Sequence, residues 1–392
     1  MNHYDRVCAS VDLDAVINNI KAIYAKQKNS FKIMAVVKSD GYGHGALPIA
    51  RCLEAEDFIY GFATATAEEA LILRRCGIQK PIMILGYTFP YAYEDMIKED
   101  IAFTVFRKDM AKEISALAVK LQKEAIVHVK VDTGMHRIGI PTDNTGVEYV
   151  KELIKMPGIR AEGIFTHLAN ADAQDKEEAY IQVETFKTFI DLIKEETGHK
   201  FTIRHCFNSA ALMEMQDEDF NVGRVGISMY GVLPSDEMKK DEIQLQPALS
   251  LHSRIVYIKT LPADSKISYG GTYITDRETK VATIPVGYGD GYPRGLSNCG
   301  YVLIRGVRCP ILGRVCMDQF MVDVTHLPDV KEGERVTLIG KDGNEEITVE
   351  QLCDLYSGFR YEMICDIGKR VPKEYYLNGE QIYSKDYHND LA

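Results

Sequence analysis

From residue 31 to about residue 225 the chain alternates short apolar runs, rich in β-branched and aromatic residues, with longer stretches whose apolar residues recur every three and four positions. The first pattern is that of buried strands, the second that of amphipathic helices. Runs at 31–38, 59–64, 82–86, 101–106, 126–132, 161–167, 202–207 and 221–225 predict eight strands. Helical spacing is clearest at 67–75 and 183–193, and Gly77 is placed to stop the first of these. Eight strands, each paired with a helix over roughly 200–250 residues, predict a (β/α)8 barrel. A doubly wound open sheet competes with it, but no Gly-x-Gly-x-x-Gly follows the first strand.

After about residue 245 the texture changes to strand-like runs such as 250–258, 280–286 and 335–340, separated by turn residues, with only 347–356 reading as helix. The fold class is therefore α/β plus β, with a barrel over 12–240 and a mainly β domain over 241–385. The N-terminal residues 1–11 could add a strand to the second domain. The tail after about Lys385 is expected to fray.

A length of 392 residues with 46% hydrophobic residues suits two sizeable cores. The net charge of −11 argues against nucleic acid or an anionic membrane as a partner. The amino terminus has no apolar signal core and no run reaches the ~20 apolar residues of a membrane span, so a cytoplasmic location is expected. Nine cysteines without a Cys-x-x-Cys pair read as reduced structural thiols, and the histidines lack ligand spacing, so no metal is expected.

Candidate chemistry begins at Lys38, where the first strand breaks into Ser39-Asp40-Gly41-Tyr42-Gly43-His44-Gly45. Burial at a strand tip disfavours the charged amine and so favours the neutral nucleophile that a Schiff base with a carbonyl cofactor requires. A snorkelled lysine at the start of a turn is the plainer alternative. In a barrel, reacting groups sit at the C-terminal strand ends, and phosphate is often held after strands seven and eight. There the chain reads Asn208-Ser209-Ala210-Ala211 and Arg224-Val225-Gly226-Ile227, small residues and a hydroxyl that let backbone N–H groups approach a phosphate. Two tight turns would read the same way. In the fifth strand, period-two alternation puts His128, Lys130 and Asp132 on one face, the barrel interior. Lys130 and nearby Arg137 are like charges that call for an anion, and an ion pair of Lys130 with Asp132 or Asp318 is the simple answer.

These segments, with Thr166-His167, Ser268-Tyr269-Gly270, Gly287-Tyr288-Gly289-Asp290 and Arg314-Val315-Cys316-Met317-Asp318-Gln319, resemble motifs of the alanine racemases, in the same order, over about residues 8–375. The resemblance implies a pyridoxal 5'-phosphate enzyme that interconverts L- and D-alanine and supplies D-alanine for peptidoglycan. It assigns Lys38 to the Schiff base, Tyr42, Ser209, Gly226, Ile227 and Tyr361 to the phosphate with Asn208 beside them, and Arg224 to the pyridine nitrogen with His205 orienting it. A guanidinium gives that nitrogen no proton, so the cofactor is a weaker electron sink, which suits racemisation over transamination. Lys38 and Tyr269 become the two acid/base groups, one on each face of the substrate, with His167 adjusting the phenol. Arg137 and the Met317 N–H, with Asp318 beside it, meet the substrate carboxylate; Tyr288 stands near the entrance, and Tyr269 with Tyr361 narrows an inner gate. The resemblance further implies a carbamylated Lys130 and a homodimer in which Tyr269 reaches the partner's barrel.

The chain departs from the family pattern at Ser39-Asp40-Gly41, where a small-Asn-Ala-like triplet is usual, at His136, where a small residue is common, and at Gly289, where Ala is typical. Membrane-associated serine racemases are the nearest rivals, but they replace the residue matching Tyr361 with a smaller polar one. A pyridoxal-phosphate decarboxylase would carry a Cys-x-x-x-Asp motif, and a non-catalytic cofactor-binding barrel would lack the β domain. Neither matches this chain.

Overall fold

The computed structural model describes residues 4–28, 31–239 and 243–387. The expected domain junction at 240/241 and the last residues, 388–392, lie outside them. Strand β1 (Val7–Asp12) ends at Asp12, whose carboxylate accepts from the Ala15 N–H at 3.0 Å and so caps helix α1 (Leu13–Tyr24). Leu13, Val16, Ile20 and Ile23 form the buried stripe of that helix.

The strands that follow are β2 (Lys32–Val36), β3 (Ile59–Thr64), β4 (Ile82–Ile84), β5 (Phe103–Val105), β6 (Ala125–Lys130), β7 (Ile159–Phe165), β8 (Ile203–His205) and β9 (Val222–Val225), each at one of the eight sequence runs. They form two parallel sheets, ordered β4-β3-β2-β9 and β5-β6-β7-β8. Backbone bonds join the sheets at both seams: Ile84 N–H to Ala102 O at 3.0 Å on one side, and Arg224 N–H to Phe207 O at 2.9 Å on the other. The eight strands therefore close into a barrel whose strand residues are mostly buried, with β7 and β8 partly exposed at their N-terminal ends. Outside it, Ala67–Arg75 begins with a reciprocal Thr66–Glu69 capping box and gives way to Gly77 at φ 97°. The run 183–193 lies inside the longer helix Glu177–Thr197.

The C-terminal part is an eleven-stranded, mostly antiparallel sheet in which β1 lies between Leu249–Arg254 and Lys373–Leu377. One continuous apolar core runs through barrel and sheet. Buried Asp290 ties them to the amino terminus, receiving both Nη atoms of Arg6 at 2.8 and 3.1 Å. Three expectations need correction. Helix Val349–Tyr356 is joined by a second, Arg360–Cys365, too short to show periodicity. Strand β2 stops two residues before Lys38. The tail does not fray at once, because Tyr387 packs back against Asp40.

Candidate active site

Lys38 opens a single turn, Lys38–Tyr42, in which Ser39, Asp40, Gly41 and Tyr42 have φ of 53, 50, 64 and 51°. Left-handed geometry costs a non-glycine residue roughly 1–2 kcal/mol, so this turn depends on its bonds. The Ser39 N–H donates to the Glu69 carboxylate at 2.6 Å, the Gly45 N–H to the Asp40 carbonyl at 2.7 Å, and the Ala46 N–H to Asp40 Oδ1 at 3.0 Å. Gly43 is obligatory for contact with the β domain, since a Cβ there would lie 2.0 Å from the Ile364 carbonyl oxygen. Burial first, then the Arg137 charge, pushes the Lys38 amine below its ordinary value.

Beside it, the Gly226 N–H donates to Ser209 Oγ at 2.8 Å, and Asn208 caps the helix Ser209–Glu214 by accepting from the Ala211 N–H. A Cβ on Gly226 would lie 2.8 Å from Tyr42 Oη, and the Tyr42 ring tilts against that of Tyr361 with centroids 6.2 Å apart. Ile227 is buried at the same turn. Two phenols, a hydroxyl and glycine backbone thus converge within reach of Lys38, a donor set that fits a phosphate.

Arg224, in register with Met34 on the adjacent strand, is buried among acceptors: His205 Nδ1 and O at 3.0 Å, Cys206 O at 3.0 Å, Thr166 O at 2.8 Å and His167 Nδ1 at 3.3 Å. Among the described residues no carboxylate lies within ion-pairing distance of it. Burial lowers the guanidinium to about 10, which leaves it a cation at neutral pH. A guanidinium only donates, so His205 Nδ1 accepts and its Nε2 carries the proton toward His128 Nδ1, 3.0 Å away. His128 Nε2 then faces Glu162 at 3.5 Å. Gly163 makes room for this relay, because a Cβ there would lie 2.2 Å from the His128 ring. Burial and the Arg224 charge hold both His205 and His167 well below the ordinary imidazole value, so both rings are neutral.

Lys130 donates to the Val131 carbonyl at 2.6 Å and lies over the Phe165 ring. The simple ion pairs do not form: Asp132 accepts from the Gly134 and His136 N–H groups, and Asp318 is held by Arg370 at 2.8 Å. Burial, then Arg224, lowers the Lys130 amine to about 8. Arg137 is exposed and its charge is felt by Lys38, Lys130, His167 and Arg224 alike.

The chain thus gathers Lys38, Tyr42, Lys130, His167, His205, Asn208, Ser209, Arg224, Gly226, Ile227 and Tyr361 at one mouth. Tyr269, Tyr288, Met317 and Asp318 form a separate group on the β domain, where the Tyr288 N–H donates to Cys316 O, the Gly289 N–H to Met317 O, and Ser268 Oγ to Arg314 O. Tyr269 is 72% exposed there and makes no hydrogen bond to the barrel groups among the described residues. Sequence reasoning gave no role to Glu162 or Gly163; the only trace was a carboxylate immediately before the buried half of its strand.

Two family models span the chain, the alanine racemase N-terminal domain at residues 11–234 and the C-terminal domain at 248–375. The alanine racemase of Desulforamulus reducens is 43% identical over 369 residues, 94% of this chain and 98% of that protein. Among solved structures, the Clostridium difficile alanine racemase in complex with cycloserine is 38% identical with a TM-score of 0.91, covering 98% of this chain and 100% of that one. The Bacillus anthracis alanine racemase with bound L-Ala-P is 37% identical with a TM-score of 0.91, covering 100% of both chains. With matching domains in the same order and full-length likeness in sequence and fold, this chain belongs to the alanine racemase family.

Proposed function

We propose that this chain is a pyridoxal-phosphate enzyme that interconverts L- and D-alanine, and so supplies D-alanine for peptidoglycan. The observation that carries it is the placement of Lys38 just beyond β2 and of Arg224 on the adjacent strand β9, Arg224 without a carboxylate partner among the described residues, beside the Tyr42–Ser209–Gly226 cradle. The full-length relatives are alanine racemases, with cycloserine or L-Ala-P bound in two of the solved structures. Ser209, Tyr42, Tyr361 and the backbone of Gly226 and Ile227 hold the cofactor phosphate, Asn208 supports them, Lys38 anchors the carbonyl carbon, and Arg224 meets the ring nitrogen. Bound there, the cofactor supplies an electron sink for negative charge at the substrate α-carbon.

Lys38, its amine already depressed, takes or returns the α-proton on one face. Tyr269 serves the other face from a second copy of the chain, which makes the active unit a homodimer and accounts for its exposure in one chain. Neutral His167 stands beside that phenol. Arg137 receives the substrate carboxylate with the Met317 N–H, Asp318 lies next to it, and Tyr288, Tyr269 and Tyr361 restrict the entrance to a small side chain. The neutral fraction of Lys130, enlarged by burial and by the Arg224 and Arg137 charges, adds to carbon dioxide with loss of one proton, and the carbamate anion then orients Arg137.

Nine free cysteines fit a reducing compartment, the cytoplasm, and no described helix is long and apolar enough to cross a membrane. Incubating L-alanine and L-serine with the loaded protein in deuterated buffer, followed by chiral chromatography with mass detection, tests the reading. Deuterated D-alanine in excess over D-serine is the expected product, and absence of any D-isomer overturns it.

A further inference from the structure

Asp40 lies two residues beyond Lys38 inside the left-handed turn, and its side chain is engaged on both oxygens. Oδ1 accepts from the Ala46 N–H, and Oδ2 accepts from the hydroxyl of Tyr387, near the far end of the chain. The Tyr387 hydroxyl itself receives Lys385 Nζ at 2.8 Å, and its ring is approached by the amines of Lys385, Lys373 and Lys369 at 4.0, 5.5 and 5.4 Å.

These lysines create a problem that Asp40 and Tyr387 answer. Lys373 and Lys385 are directly opposite partners in the pairing of Lys373–Leu377 with Glu380–Lys385, and Lys373 is 1% exposed. Like charges facing each other across a strand pair are unfavourable, more so when one is buried. The Asp40 carboxylate supplies the counter-charge, and the Tyr387 ring presents its negative face to the amines. Burial opposes ionisation of Asp40, yet Lys385, the Tyr387 hydroxyl, the Ala46 N–H and Lys373 together hold it below its ordinary value.

We propose that Tyr387 is a positioning residue for Lys38: the C-terminal segment, through Tyr387 and the lysines around it, clamps Asp40 and so holds the strained turn that aims the Lys38 amine. The inference rests on the reading of Lys38 as the cofactor-anchoring lysine. The turn is suited to such control, since three non-glycine residues that follow Lys38 in it, Ser39, Asp40 and Tyr42, sit in left-handed geometry and depend on their bonds to stay there. The clamp acts from the β domain, so that domain shapes the lysine from behind as well as facing the substrate.

The test is a double-mutant cycle on the full chain, read as the affinity of the cofactor-free protein for pyridoxal phosphate by the absorbance of the bound form. Tyr387→Phe, and separately a chain ending at Lys385, should weaken binding about tenfold, the worth of one hydrogen bond to a charged group. In the Asp40→Asn background the same changes should alter affinity by less than about twofold, because the clamped charge is gone. Wild-type affinity in both variants, or an equal loss with and without Asp40, overturns the proposal. An unaltered chain that takes up no pyridoxal phosphate would instead overturn the functional reading on which it rests.

Discussion

The His205 imidazole accepts from the Arg224 guanidinium at 3.0 Å, and that single bond fixes the direction of every proton behind it, from His205 to His128 and on toward Glu162. A buried cation is held by a neutral ring whose tautomer the rest of the relay enforces. Replacing His205 by Leu leaves Arg224 buried with one acceptor fewer and should cost ~1–3 kcal/mol of stability, measured by urea denaturation. Glu162→Gln keeps an acceptor for His128 and should cost less than about 1 kcal/mol.

Gly226→Ala would place a methyl 2.8 Å from Tyr42 Oη, in the space where Tyr42, Ser209 and the Gly226 backbone converge. The fold should survive, since only one phenol has to move. Affinity for pyridoxal phosphate should fall by about tenfold or more, measurable by equilibrium dialysis.

Lys130 has an amine lowered to about 8 in the fold, against ~10.4 in an unfolded chain. Between these values the unfolded chain binds more protons than the folded one, so the unmodified protein gains stability as pH rises from about 8 to ~10.4 and carries its full penalty below about 8. A carbamate removes that penalty. Bicarbonate should therefore raise the melting temperature at neutral pH and flatten its rise above pH 8, and Lys130→Met should show neither effect. Intact mass should show one added carboxyl group, and an unmodified lysine in carbonated buffer would sink the assignment.

Tyr269 and Lys38 are predicted to act together only across two chains. Lys38→Ala and Tyr269→Phe proteins should each be inactive or nearly so, while a refolded equimolar mixture should regain about a quarter of wild-type activity, because half of its dimers carry one intact site. No recovery on mixing would place both groups in one chain. Tyr269→Phe alone should retain cofactor absorbance and lose α-proton exchange with solvent from one enantiomer.

Much of this site was legible because its motifs are local. Asn208-Ser209 and Gly226-Ile227 announce themselves as small residues after two strands, and His128, Lys130 and Asp132 share a face by simple alternation. The Lys38 turn was legible only in part: Gly41, Gly43 and Gly45 signal a tight bend, but Ser39, Asp40 and Tyr42 adopt left-handed geometry with no glycine to mark it. His136 at φ 54° is a similar case, standing where a small residue is usual and held by its N–H bond to Asp132.

By itself the sequence determined the eight strand runs and the change to a β-rich second half, because the period of burial along a strand or helix is written in neighbouring positions; the residues at the mouth were named by the likeness of their motifs to those of the alanine racemases, not by any period. The tertiary structure alone decided that neither Asp132 nor Asp318 pairs with Lys130, that Glu162 ends a relay from Arg224, and that Tyr387 reaches Asp40 across 347 residues of chain. Those contacts follow from where the barrel closes and where the last strands pair, and long-range closure leaves no local period to read.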